Sequence, residues 1–131
     1  MKTLIVDDDF SSRLLLQSML EQYGDSHIAA NGKEAVEAVR MAMEQDSQYD
    51  LICLDIMMPD MDGHAVLEKI REIEEQNGIL LGHGAKVVMT TALGDSENFF
   101  GAFREQCDWY LVKPIEQTKM QEFLQYSGLL H

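Results

Sequence analysis

Short apolar runs alternate with stretches of helical periodicity along this chain, and each change of period marks an element. Leu4-Ile5-Val6 reads as a buried strand that runs straight into Asp7-Asp8-Asp9. Phe10, Leu14, Leu15, Met19 and Leu20 then recur at helical spacing, with Asp9 as N-cap and Gly24 as the stop. Residues 27–30 form a weak second strand. Asn31-Gly32 turns the chain into a helix marked by Ala35, Val36, Val39, Ala42 and Met43, with Asn31 and Glu34 sharing its cap. Leu51-Ile52-Cys53-Leu54 is a third strand ended by Asp55, and Val66, Leu67, Ile70 and Ile73 carry a third helix. Lys86-Val87-Val88-Met89-Thr90 is a fourth strand. The periodicity over 95–106 is poorer because Gly101 sits inside it, which costs roughly 1 kcal/mol relative to alanine. Trp109-Tyr110-Leu111-Val112 is a fifth strand, and Met120, Phe123 and Leu124 mark a last helix after Pro114.

Five strand-then-helix units predict an α/β fold: a five-stranded parallel, doubly wound sheet with helices on both faces, because each right-handed crossover packs back on the sheet. Ligands of such sheets bind outside the carboxyl ends of the strands. The residues to read are therefore Asp7-Asp8-Asp9, Asn31, Asp55-Ile56-Met57, Thr91-Ala92 and Lys113-Pro114. Residues 76–84 fit less well, since Ile79-Leu80-Leu81 sits inside a glycine-rich loop. Either the triplet folds back on the domain edge or it is a contact site.

Charge narrows the classes of function. The 131 residues carry a net charge of −13, which repels phosphate backbones and anionic lipid and argues against direct nucleic-acid or membrane binding. No window reaches the ~20 apolar residues of a membrane span, and the first apolar stretch is too short for a signal peptide. A cytoplasmic protein is expected. Cys53 and Cys107 have no CxxC spacing and are expected to be reduced, buried thiols. The chain is one domain long, so no output domain is expected within residues 1–131.

Three acids reach one sheet edge from two strands: Asp7 and Asp8 after the first, Asp55 after the third. Like charges so placed resist sharing a site unless a cation lies among them. Carboxylates, carbonyls and water suit Mg²⁺, with Mn²⁺ as an alternative, better than Zn²⁺; histidines 27, 64, 83 and 131 show no ligand spacing. Lys113 and Thr91 add an ammonium and a hydroxyl. Three carboxylates, one divalent cation and one lysine balance in charge, a pocket suited to phosphoryl transfer. Asp55 is the better nucleophile, leaving the adjacent Asp7 and Asp8 as metal ligands. Asp9 is read as a helix cap.

The motifs Leu4-Ile5-Val6-Asp7-Asp8, Asp55-Ile56-Met57-Met58-Pro59-Asp60-Met61-Asp62-Gly63, Thr91-Ala92 and Lys113-Pro114 stand in order over nearly the whole chain. Together they resemble the receiver domain of two-component response regulators, in its CheY-like, single-domain form. The resemblance implies a flavodoxin-like sheet of strand order 2-1-3-4-5. It implies that Asp55 takes a phosphoryl group from a sensor histidine kinase or histidine phosphotransfer protein. Asp7, Asp8, Asp55 and the backbone carbonyl of Met57 would hold Mg²⁺, and Lys113 would grip a phosphoryl oxygen. Thr91 and Tyr110 would switch, and the Lys-Pro bond would be cis. The output would be a protein-binding face made by the helix over 95–106, the fifth strand and the last helix. Such a chain catalyses its own phosphorylation and dephosphorylation and is not a conventional turnover enzyme. It would be a monomer or a phosphorylation-dependent dimer.

Two further expectations concern particular side chains. Met57 and Leu93 are apolar where members of the family often carry polar groups, which predicts a persistent phosphorylated state. Phe99, Phe100 and Phe103 cannot all face inward from one short helix, which predicts a partly exposed interface patch. Rival readings use the same residues differently. Asp7 and Asp9 have the spacing of a haloacid dehalogenase-type phosphatase, and a flavodoxin-like electron carrier would share the architecture. The first lacks a cap domain here, and three aspartates would repel a flavin phosphate.

Overall fold

The computed structural model describes residues 1–92 and 107–130. Its elements are β1 (Thr3–Val6), α1 (Phe10–Leu20), a 3-10 turn (Glu21–Tyr23), β2 (Ser26–Ala29), α2 (Gly32–Glu44), β3 (Leu51–Asp55) and α3 (Gly63–Gln76). They continue with β4 (Lys86–Thr91), β5 (Trp109–Val112) and α4 (Gln117–Tyr126). All pairings are parallel and the strand order is β2-β1-β3-β4-β5, as expected. Every residue of β1 and β3 is buried, which explains their unbroken apolar runs. The outer strands β2 and β5 keep exposed positions.

Alternation along the strands sends successive residues to opposite faces. Leu4, Val6, Ile52, Leu54, Val87 and Met89 meet Val36, Val39, Val66, Leu67 and Ile70 of α2 and α3. Ile5, Cys53, Val88 and Leu111 meet Leu16 and Leu20 of α1 and Met120, Phe123 and Leu124 of α4. Asp9 and Asn31 cap α1 and α2 as expected, and Asp62 caps α3. Asp9 accepts from the Ser12 N–H, Asn31 from the Glu34 N–H and Asp62 from the Ala65 N–H. Glu34 reaches back to the Ala30 N–H at 3.1 Å. Among the described residues, no helix is long and apolar enough to cross a membrane. Burial drives the Cys53 thiol up to about 12, so it is an inert core residue, and Cys107 is half-buried and also raised.

Two expectations are corrected. The predicted inner face of α1 is largely its outer face: Phe10 is 68% exposed and Leu14 and Leu15 are exposed as well, while Leu16 and Leu20 face the core. Three consecutive leucines cover most of the helix circumference, so spacing alone does not select a face. The loop before β4 does not fold back either, since Leu80 and Leu81 are 72% and 84% exposed. A turn closed by the His83 N–H on the Leu80 carbonyl holds them out, and Gly82 takes the positive φ of 87° that this turn needs. Further along the loop, Glu74 packs against Gly84 and accepts from Arg71 and from the Ala85 N–H, both at 2.8 Å. Leu93, Gly101 and the three phenylalanines at 99, 100 and 103 lie outside the described residues, as does the helix expected over 95–106.

Candidate functional site

The register Val6↔Leu54 and Asp55↔Thr90 brings the carboxyl ends of β1, β3 and β4 level, so the acids that follow meet. Asp7 is fully buried, Asp55 is 4% exposed and Asp8 is exposed. One carboxylate oxygen from each of the three lies within 4.8 Å of the others. Lys113 enters from the end of β5, its Nζ 2.9 Å from Asp7 Oδ2 and 3.5 Å from Asp55 Oδ2. The Lys113-Pro114 peptide is cis.

Local hydrogen bonds fix these groups. Asp7 Oδ1 accepts from the Asp9 N–H at 2.9 Å, and the Asp7 carbonyl accepts from Arg13 Nη1 at 2.9 Å. Asp55 Oδ1 accepts from the Met57 N–H at 3.2 Å. Gly63 opens α3 against the backbone of the site: a Cβ there would come within 2.7 Å of the Asp55 carbonyl oxygen and 2.8 Å of Ile56 Cα. Arg13 was not legible as a site residue, because its role is toward a backbone oxygen and depends on where α1 starts.

Electrostatics set the pocket apart. Burial pushes the Asp55 carboxyl up to about 6, the Asp7 charge adds to this, and Lys113 and the Met57 N–H only partly oppose it. Burial pulls the Lys113 ammonium down, but its hydrogen bond to Asp7 and the charges of Asp55 and Asp7 outweigh that and leave it raised. Three carboxylates against one ammonium leave an excess of two negative charges. One hard divalent cation would neutralise it, and the all-oxygen donor set fits Mg²⁺.

The other predicted residues are placed as follows. Thr91 ends β4, is buried, and donates its hydroxyl to the Ala92 carbonyl at 3.3 Å. Tyr110 lies on β5 and is 40% exposed. The Met57 side chain is exposed. Asp9 Oδ2 is engaged by both the N–H and the hydroxyl of Ser12 at 2.9 Å, and this holds its carboxyl below the usual range. An acid committed to capping α1 is not placed to serve as a proton donor beside Asp7, which removes the geometric basis of the phosphatase reading. Histidines 27, 64 and 83 contribute nothing to the acidic cluster.

An acidic pocket at the carboxyl edge of a doubly wound 2-1-3-4-5 sheet, faced by a lysine, has the architecture of a receiver domain. The chain belongs to the response regulator receiver domain family, whose profile matches residues 3–125, and is thus a receiver domain of two-component signalling. Over 118 residues it is 39% identical to the transcriptional regulatory protein SrrA of Staphylococcus aureus (strain NCTC 8325 / PS 47), a match covering 89% of this chain and 43% of that protein. The chain therefore spans less than half the length of the curated relatives it matches. The receiver domain of a Francisella response regulator, 1452, is 28% identical with a TM-score of 0.70, over 96% of this chain and 94% of that one. The receiver domain of the histidine kinase CKI1 from Arabidopsis thaliana, complexed with Mg²⁺ and BeF₃⁻, is 25% identical with a TM-score of 0.80, over 98% of this chain and 90% of that one.

Proposed function

We propose that this receiver domain takes a phosphoryl group from a histidine kinase or histidine phosphotransfer protein onto Asp55. The observation that carries this reading is the clustering of Asp55, Asp7 and Asp8 within 4.8 Å with Lys113 in contact. An Asp55 Oδ attacks phosphorus, an O–P bond forms as the P–N bond of the phosphohistidine breaks, and the departing imidazole keeps the electron pair and takes up a proton. A carboxyl whose pKa is near 6 is largely ionised at neutral pH yet more basic than an ordinary aspartate, which favours attack. Asp7, Asp8, Asp55 and the Met57 carbonyl would hold Mg²⁺, or Mn²⁺ in its place. When bound, the cation supplies neutralisation of the phosphoryl oxygens. Lys113 leaves Asp7 to grip one of those oxygens.

The donor would dock beside the pocket. Exposed Leu15 on α1 lines a cleft of about 340 Å³ together with Leu16, Lys113, Pro114 and Ile115, an apolar surface that reaches the site lysine. Phosphorylation would then shift a two-state equilibrium in which the Thr91 hydroxyl leaves the Ala92 carbonyl for the phosphoryl group and Tyr110 turns inward behind it. The output is a changed protein-binding face around β5 and α4 that meets a downstream protein target. The chain turns over only its own phosphoryl group and is not a conventional enzyme. Its acidity argues against DNA contact by this domain itself, whatever the role of relatives that are transcriptional regulators.

The test is incubation with acetyl phosphate and Mg²⁺ followed by peptide mass mapping. Phosphoryl mass on the Asp55 peptide, absent from D55N, is expected; mass on the Asp7 peptide would overturn the reading. The apolar Met57 beside the acceptor predicts a slow loss of that mass, and Met57→Asn is expected to change the half-life by about tenfold, toward faster hydrolysis.

A further inference from the structure

The sheet places a second threonine beside the phosphoacceptor. Thr90 pairs with Asp55 on one side and Leu111 on the other. Register partners in neighbouring strands project from the same face, so the Thr90 side chain lies alongside that of Asp55 while Thr91 points to the opposite face. Below it on that face are Val88 and Cys53, and beside it Leu111, all of the apolar cluster under α1 and α4. Thr90 is 1% exposed, and among the described residues its Oγ1 has no hydrogen-bond partner. A buried hydroxyl in that condition is unfavourable, and a valine of the same shape would avoid the cost. A partner gained in another state of the molecule would remove that cost.

Asp55 provides one. At rest its Oδ1 takes the Met57 N–H and its Oδ2 faces Lys113 at 3.5 Å. Once a phosphoryl group is attached, the Lys113 ammonium is drawn to the phosphoryl oxygens and no longer faces the Asp55 carboxyl. Thr90, the register partner of Asp55, is a donor in the same cross-strand row with no partner of its own among the described residues. Resting on the reading of Asp55 as phosphoacceptor, we propose that Thr90 is a positioning residue of the phosphorylated state, its Oγ1–H donating to the Asp55 carboxyl group as Lys113 moves off. The hydroxyl keeps its proton throughout, and its unmade bond at rest becomes a made bond after phosphorylation.

The proposal predicts opposite effects on the two states. Thr90→Val is expected to raise the thermal midpoint of the free protein and to weaken beryllofluoride binding in the presence of Mg²⁺ by about 3- to 10-fold, the range of one neutral hydrogen bond. Thr90→Ser, which keeps the hydroxyl and deletes the methyl, is expected to bind beryllofluoride like the wild type even if its thermal midpoint falls. Both are measured by fluorine NMR titration beside thermal unfolding. Equal beryllofluoride affinity in wild type and T90V, or a loss shared by T90V and T90S, would overturn the role of Thr90 while leaving Asp55 as acceptor. A wild-type chain that takes up no beryllofluoride would instead overturn the phosphoacceptor reading, and this inference with it.

Discussion

Glu74 and Asp55 are both almost sealed from solvent, yet they stand at opposite edges of the sheet and meet different company. Glu74 sits at the amino edge, where one oxygen meets Arg71 and the other the Ala85 N–H, each at 2.8 Å. Arg71 also donates to the Ala85 carbonyl and reaches Asp108, whose carboxylate takes the Val87 N–H at 2.8 Å. Every charge there has a near partner. Asp55, at the carboxyl edge, has an N–H at 3.2 Å, an ammonium at 3.5 Å shared with Asp7, and two other carboxylates within reach. Burial of an acid is common to both regions. Only one is left with unmet electrostatic demand, and that difference separates a fastening from a site prepared for a guest.

Breaking the fastening should have the largest effect on folding. Glu74→Ala removes the acid that Arg71 and the Ala85 N–H share and is expected to cost about 3 kcal/mol in urea unfolding, while Mg²⁺ affinity by calorimetry stays within about twofold of wild type. Breaking the site should do the reverse. The folded Asp55 pKa of about 6 lies above the ordinary 3.8, so the cation-free fold holds this proton longer than the unfolded chain. That contribution is fully present below about pH 3.8 and is lost as pH rises through about 6, up to roughly 3 kcal/mol. Asp55→Asn is thus expected to make the cation-free protein more stable at pH 7 than wild type by about 2 kcal/mol, and to remove that part of the pH dependence between 4 and 6. An unchanged difference between the two proteins across that range would contradict the assignment. The smallest effect sharpens the comparison. Lys113→Ala removes the resident ammonium that competes for Asp7 and is expected to tighten Mg²⁺ binding about fivefold by calorimetry, with slower phosphoryl uptake.

Much of this was legible in the sequence because it depends on where strands stop. Leu4-Ile5-Val6 and Leu51 through Leu54 are unambiguous runs, so the acids after them could be placed at one edge before any coordinates, and Lys113-Pro114 and Thr91 follow by the same logic. The inward face of α1 was not legible, since leucines 14, 15 and 16 offer the core three choices and only packing selects Leu16. Leu80 and Leu81 were misjudged because apolar character alone does not place a residue inside: the turn at Gly82 holds them out, while Glu74, which helical periodicity puts on the inner face of α3 with Ile70 and Ile73, is buried despite its charge. The Arg71–Asp108 contact joins residues 37 apart, and the Arg13 bond ends on a backbone oxygen, so no spacing of side-chain types announces either.

Asp55 ends the central strand, which is hydrogen-bonded to β1 on one side and β4 on the other, whereas Tyr110 lies on β5 and Lys113 directly follows it, and β5 is an outermost strand with a single neighbour. Stiffness therefore grades across the site from middle to margin. On the proposed function, the atom to be aimed is set in the part of the frame with neighbours on both sides, and the groups proposed to report its modification hang on the part with one.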